Sequence, residues 1–250
     1  MRRPSIDAVV PDLTPERHLY LLATAAERQV GDAPEAPPPL LDLSVRAFLE
    51  ALRSPAPTPA GGAASALAGA LGSALLEMTA GLTMGRPQFR AVDQEARRIA
   101  AAAAERQARF QHLFVMEAHT FGRLFQAYSE RGHSEADRQV RLAAISEALV
   151  FATAVPMEVV QESRQLLELC EAAARVAAPA VLADVAVAAR LAHAALEGAA
   201  ANVRVALPIL NDRASVRRLE DELAMAHRTG AAQQQRILEL IDTRMPGHPA

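Results

Sequence analysis

A long run almost without charge is the feature that most limits what this chain can fold into. Between Arg53 and Arg86 the only charged side chain is Glu77, and most other residues are Ala, Gly, Ser or Thr. The run is long enough for a membrane span, but its small side chains and internal acid are unfavourable for one. Small residues let helices approach closely, so we interpret the run as a loop and a helix packed in a bundle. They recur at positions 62, 65, 66, 69, 70, 72, 73 and 74.

The composition of the whole chain favours helices. Hydrophobic residues make up 51% of the 250 residues, but much of this share is Ala, aromatic residues are only 4%, and Trp is absent. Ala is the strongest helix former, whereas a β-sandwich needs β-branched and aromatic side chains. No useful stretch of strand-like alternation occurs. We therefore predict an all-α, multi-helix up-and-down bundle with long helices and close packing of small residues.

Charge and residue content exclude several kinds of function. The net charge of −3 gives no electrostatic reason to expect nucleic-acid or membrane binding. All 26 basic residues are Arg, so a Schiff-base lysine and a P-loop lysine are both absent. Cys170 is the single cysteine, so it has no second Cys with which to form an internal disulfide or a zinc site. The first residues, MRRPSIDAVVPDL, lack the apolar run of a signal peptide, so we expect a cytoplasmic protein.

Two regions are predicted along the chain. Residues 1–41 form an N-terminal extension, with one short helix from Thr14 to about Val30 and a Pro-rich linker. Residues 42–245 form the helical domain, in which Ser44 and Ser134 are suited to cap helix starts and Pro156 is expected to kink a helix or begin a new one. Further helices are predicted at about 63–82, 91–129, 157–177, 180–207 and 213–243.

Three acids fall on apolar or small-residue helix faces. A rotation of about 100° per residue places Glu117 and Asp184 each on an apolar face, and the helix around Glu77 has no polar face. A buried carboxylate must be hydrogen-bonded, paired with a cation or protonated. Pairing with Arg, or capping of a helix end, explains any one of them equally well. Three together favour a ligand site between helices.

A metal site is not expected from the spacing of these acids. A di-metal carboxylate bundle needs inward-facing Glu-x-x-His pairs. Here His119 follows Glu117 by only two residues, and Glu197 comes after His193 rather than before it. No spacing supports Ser-His-Asp catalysis either.

Four segments, in order along the chain, resemble one known family over about residues 42–240. They are FLEALRSPAPTPAGGAASALAGALGSALLEMTAGLTMGRPQF, EAHTFGRLFQAY, ATAVPMEVV and LADVAVAARLAHAALEGAAANVRVAL. They are similar to the Pro-Thr-Pro-Gly-Gly-Gly loop and helix, the acid-Ala-x-x-Phe segment, the Val-Pro-Leu segment, and the Ser-Asp-x-x-Val-Ala and Asn-Val stretch of the cyclodeaminase/cyclohydrolase family of folate enzymes.

The resemblance implies an enzyme that closes or opens the bridge between two neighbouring folate nitrogens. A cyclodeaminase joins a formimino carbon to the second nitrogen and expels ammonia, which leaves a methenyl cation. A cyclohydrolase adds water to that cation and reopens the ring, and the sequence does not separate the two reactions. The implied substrate is a tetrahydrofolate derivative, with no other cofactor, and the implied assembly is a homodimer.

The resemblance also implies site residues. Asp184 and Glu117 are the expected catalytic acid/base groups. Arg86 or Arg90 is suited to receive the acidic glutamate tail of folate, although a solvated helix start explains these two equally well. The remaining expected substrate-binding positions are Thr58, the backbone of Gly61 and Gly62, and Asn202.

The sequence departs from the family's pattern at several positions. Glu117 stands for the usual aspartate, whereas Asp184 and Asn202 are retained. The departures keep open an alternative, a catalytically impaired folate-binding or regulatory paralogue, and a third possibility, a purely structural helical partner. The other substituted positions are Ala60, Ala63, Gly81, Arg86, Phe89, Ala154, Ala180 and Ala183.

Overall fold

Helices make up most of the chain that the structure describes. The computed structural model describes residues 39–129, 134–210 and 212–245, and no strand occurs within them. The predicted all-α class is therefore confirmed. The helices are α1 (Val45–Arg53), α2 (Gly61–Thr83), α3 (Asp93–Ser129), α4 (Glu135–Val176), α5 (Leu182–Ala206) and α6 (Arg213–Arg244), with short 3-10 turns at Leu40–Asp42, Pro87–Val92, Pro179–Val181 and Leu207–Ile209.

The start of the helical domain agrees with the sequence prediction. The hydroxyl oxygen of Ser44 accepts a hydrogen bond of 3.1 Å from the backbone N–H of Ala47 and so caps α1. The Phe48 ring of α1 packs on Phe114 of α3 at 5.4 Å between centroids. The predicted helix at 14–30 and most of the Pro-rich linker lie outside the described residues. The division into residues 1–41 and 42–245 stays a prediction.

Helix α2 lies between α3 and α5 and contacts both through small residues. Gly69 faces the ring of Phe110 on α3, and a Cβ on Gly72 would lie 3.1 Å from the carbonyl oxygen of Ala188 on α5. The first turn of α2 lies near the last turns of α5, so these two helices run antiparallel. The predicted close packing through small side chains is confirmed, because a larger side chain at these positions would separate the helices.

The long helices α3 and α4 pack against each other and extend beyond the main core. The main core contains residues of all six helices, including Phe114 of α3. A second, smaller apolar cluster, here called the tip cluster, lies where α3 ends and α4 begins. It consists of Leu124, Ala127, Tyr128, Ile145, Ala148 and Leu149. Glu117 therefore lies on α3 between the part that enters the main core and the part that enters the tip cluster.

Pro156 does not begin a new helix. Helix α4 starts at the predicted capping box, in which Ser134 and Asp137 satisfy each other's backbone N–H groups, and it continues to Val176. Pro156 and its neighbours Val155 and Met157 are buried. Packing on both sides holds the helix together although proline removes one backbone hydrogen bond. The expectation of a separate helix from residue 157 is therefore wrong.

Three described helical segments are long and apolar enough to cross a membrane, judged by length and composition alone. They are Gly61–Thr83, Glu135–Val176 and Pro179–Ile209. In each, half or slightly more of the most apolar window is buried against other helices, at 56%, 50% and 50% respectively. Much of their apolar surface therefore forms the bundle core, and the remainder is exposed.

Candidate functional site

Glu117 is a buried acid without a described partner. Its residue is 7% exposed, and Oε2 is buried with no hydrogen-bond partner among the described residues. Burial raises the pKa of Glu117 from 4.5 to about 7, because the charged form loses solvation. The carboxyl group therefore exists in both protonation states near neutral pH. The predicted burial of Glu117 on an apolar helix face is confirmed.

Two small pockets meet at Glu117. The first, here called the loop pocket, has a volume of about 50 Å³ and lies between the loop before α2 and helices α2, α3 and α5. The second, here called the tip pocket, also has a volume of about 50 Å³ and extends towards the tip cluster. Glu117, Phe121 and Asn202 line both pockets. Glu117 is the only titratable residue among the described residues that line them.

The loop before α2 forms one wall of the loop pocket. The Thr58–Pro59 peptide is cis, Pro59 is buried, and Thr58 lines the pocket. Ala60 is extended and no side chain caps α2. The N–H groups of the first turn, at Gly61 and Gly62, therefore remain available to a bound ligand.

Asn202 closes the loop pocket from α5. Its Nδ2 donates a hydrogen bond of 3.0 Å to the carbonyl oxygen of Gly198, which fixes the side chain at the pocket. The amide lies 3.9 Å from where a Cβ of Gly61 would be. The structure thus brings five of the predicted site residues together. They are Thr58, Gly61, Gly62, Glu117 and Asn202.

The other three predicted site residues lie at the opposite end of the bundle. Asp184 is in the first turn of α5, about 27 Å along the helix axis from Asn202. Arg86 follows Gly85, whose φ of 71° forms the turn after α2, and both Arg86 and Arg90 are exposed. Within one chain these three residues do not reach Glu117. Their roles in substrate binding and catalysis stay predictions.

The expectation that all three acids are buried is wrong for Glu77 and Asp184, which are half-buried. The cause is the abundance of Ala, which leaves little contrast between the faces of α2 and α5. In α5 the buried stripe includes Val185, Ala189 and Val203, and Val187 on the side of Asp184 is exposed. The two acids therefore lie at the margin of the bundle.

Some residues at the pockets were not predicted. Phe121 is one helical turn after Glu117, and this i to i+4 spacing is a signal that places both side chains together. Leu149 and Ala152 of α4 and Ile209 after α5 line the tip pocket. No local sequence pattern identifies these three, because their position depends on how the helices pack.

A metal centre finds no support in the described part of the chain. No group of three or more His, Cys, Asp or Glu side chains there is placed to hold a metal ion. The chemistry available at the two pockets is that of one protonatable carboxyl, an amide, a hydroxyl and backbone N–H groups. This set is suited to moving a proton and binding a polar ring.

Known proteins resemble this chain in sequence and in fold. Residues 44–225 match the family model described as formiminotransferase-cyclodeaminase. The methenyltetrahydrofolate cyclohydrolase of Methylorubrum extorquens is 30% identical over 202 residues, which cover 81% of this chain and 97% of that protein.

A longer relative and a solved structure agree with this match. The formimidoyltransferase-cyclodeaminase of Rattus norvegicus is 29% identical over 85% of this chain, which spans only 38% of the rat protein. The crystal structure of a formiminotetrahydrofolate cyclodeaminase from Thermotoga maritima has a TM-score of 0.68 and 25% identity, and the match covers 83% of this chain and 98% of that one. The family resemblance seen in the sequence is thereby confirmed, and the chain belongs to the formiminotransferase-cyclodeaminase family.

Proposed function

We propose that this chain is a folate one-carbon enzyme that closes or opens the bridge between two neighbouring nitrogens of tetrahydrofolate. The names of its relatives, a cyclohydrolase and cyclodeaminases, support this substrate class. The observation that carries the proposal is the buried Glu117 carboxyl, which has no described partner at Oε2 and a pKa of about 7. Such a group donates a proton in one step and accepts one in the next at neutral pH.

Both candidate reactions use the same carboxyl group. In the cyclodeaminase reaction, a folate nitrogen attacks the carbon of the protonated formimino group, and Glu117 takes the proton of that nitrogen and gives it to the departing ammonia. In the cyclohydrolase reaction, Glu117 takes a proton from the attacking water and gives it to the nitrogen released when the ring opens, while the hydroxyl proton of the adduct leaves to solvent as the formyl C=O forms. When ionised, Glu117 also stabilises the positive charge of the methenyl group. The similarity to relatives that are named as enzymes does not favour the impaired paralogue.

The polar groups around Glu117 are suited to the pterin end of the substrate. Thr58, Asn202 and the first N–H groups of α2 supply hydrogen bonds, and Phe121 supplies an aromatic wall. The pockets, at about 50 Å³ each, are much smaller than the 300 Å³ or more that a drug-sized ligand occupies. One chain therefore encloses only a part of a folate in these pockets, and we infer that a second surface covers more of it.

A second copy of the chain is the proposed source of that surface. Exposed apolar side chains follow the outer sides of α2 and α5 and define what we call the α2–α5 face. They are Leu71 (51% exposed), Met78, Leu82, Val187 (46%) and Val205 (60%). Soluble proteins rarely leave such a face uncovered, and a two-fold homodimer is the commonest way to cover it.

The same pairing would explain why the predicted site residues form two groups. A two-fold axis near the middle of α5 sets the α5 helices of two copies antiparallel. The partner subunit's Asp184 then lies near Asn202 of the first copy, and the partner subunit's Arg86 and Arg90 lie at the same end. Each composite site would contain all the predicted residues.

A cytoplasmic location is part of the proposal and is supported by the sequence alone.

The test is the absorbance of the methenyl group. Purified protein is mixed with methenyltetrahydrofolate, whose absorbance should fall, and separately with formiminotetrahydrofolate, from which it should rise, each against the uncatalysed rate. Faster change with one substrate identifies the reaction. Folate binding without acceleration of either reaction would replace the proposal with the impaired paralogue.

The molecular mass of the protein in solution tests the dimer, which Val187→Arg should convert to a monomer.

A further inference from the structure

We propose that Gly62 is a positioning residue, because its lack of a side chain creates the space that the Glu117 carboxyl group occupies. This inference rests on the proposed function of Glu117 as the proton-transfer group. A Cβ built on Gly62 would lie 2.5 Å from Cγ of Glu117 and would overlap its Cδ and Oε1 atoms. Contacts of a Cβ below 3.0 Å essentially never occur, so either the side chain or the helix must move.

The side chain of Glu117 is the part that would move. Gly62 lies in the first turn of α2, where the neighbouring Ala63 and Ala66 are buried against the core, so the helix backbone is held in place. Glu117 has several rotatable bonds, and no described hydrogen bond holds Oε2. An alanine at position 62 therefore displaces the carboxyl group towards the open parts of the pockets and leaves the fold intact.

The other glycines of α2 provide contrasting cases. Gly69 faces the buried ring of Phe110, so a side chain there would disturb packing rather than the site. Gly81 is exposed and has nothing within 4 Å of its Cβ position. Gly81→Ala is thus a matched control, which adds the same methyl group to the same helix without touching Glu117.

A double-mutant cycle distinguishes this role from a purely structural one. Gly62→Ala should lower turnover by roughly 100-fold or more, the usual contribution of a positioned proton-transfer group. Glu117→Gln, which cannot exchange a proton, should lose about as much on its own. If Gly62 acts only through Glu117, the double variant should be no slower than Glu117→Gln alone. If the losses of the two single variants multiply in the double variant, the proposal is overturned. Full turnover by Gly62→Ala would also overturn it.

A second measurement needs no turnover. The Tm of the wild-type chain, relative to that of Glu117→Gln, should fall as the pH rises from 5 to 8, because the buried Glu117 loses its proton in this range. The same comparison made in the Gly62→Ala background should show little change, because a displaced, hydrated carboxyl titrates at its ordinary pKa. Gly81→Ala should behave as wild type. An unchanged pH response in Gly62→Ala would overturn the positioning role even if no folate is converted by any variant.

Discussion

Asp184 and Asn202 lie on the same face of α5, at opposite ends of the helix. Their separation corresponds to about five turns, or about 27 Å, so both side chains point in one direction but never meet within a chain. Asn202 lines both pockets with Glu117. In the proposed homodimer, an antiparallel pairing of two copies along α5 would bring Asp184 of one copy towards this site of the other.

The proposed composite site predicts complementation between two impaired variants. Glu117→Gln and Asp184→Asn should each lower turnover by roughly 100-fold or more as homodimers. After the two variants are mixed in equal amounts, unfolded and reassembled, each mixed dimer contains one site with both natural acids. Because half of the dimers are mixed and half of their sites are intact, turnover should recover to about a quarter of wild type.

The control for complementation is each variant taken alone through the same unfolding and reassembly. No recovery in a sample shown to contain mixed dimers would mean that both acids act within one chain or that Asp184 does not act. Full turnover by Asp184→Asn alone would remove Asp184 from the site.

Burial of Glu117 predicts a pH-dependent contribution to stability. Its pKa is raised from 4.5 to about 7 in the folded chain, so between these values the folded state binds more protons than the unfolded state. The contribution is fully present below pH 4.5 and is lost as the pH rises through 7. Relative to Glu117→Gln, the free energy of unfolding should fall by about 3 kcal/mol across this interval.

Chemical denaturation at several pH values measures this fall. The difference between the two proteins isolates Glu117, because all other titrating groups are common to both. A difference that stays constant from pH 4.5 to 7.5 would show that Glu117 is hydrated in the folded chain, contrary to its position in the structure.

We predict that removal of the Arg244 side chain lowers the stability of the fold and leaves turnover unchanged. From the last turn of α6, its Nη1 donates to the carbonyl oxygen of Ala174 at 2.5 Å and its Nη2 to that of Ala177 at 2.9 Å. Arg244→Ala leaves these carbonyl groups at the end of α4 without a donor, which should cost about 1–3 kcal/mol. Thermal unfolding should show a lower Tm, whereas the exposed Arg236→Ala should not; equal Tm values would contradict the contact.

Local signals in the sequence predicted much of the fold. Ser44 and Ser134 are capping residues whose hydrogen bonds are local, so the starts of α1 and α4 could be predicted. Pro156 is a local signal that packing on both sides of α4 overrode. The strong alternation of large apolar and polar residues in α3 identified Glu117 as buried.

The position of the site was only partly predictable. Helices α2 and α5 consist largely of Ala and Gly, so their periodicity does not show which side is buried, and Asp184 was placed in the core incorrectly. No local sequence pattern shows which helix ends lie together in space. The sequence alone therefore could not show that Thr58 and Asn202 meet Glu117 whereas Arg86 does not.

Turnover of Glu117→Gln compared with wild type is the most direct test of the central claim. The substitution keeps the size of the side chain and removes only its ability to exchange a proton. With methenyltetrahydrofolate or formiminotetrahydrofolate, wild-type protein should change the methenyl absorbance well above the uncatalysed rate, and Glu117→Gln should be slower by roughly 100-fold or more while still folded. Equal rates for the two proteins would contradict the assignment of Glu117 as the proton-transfer group.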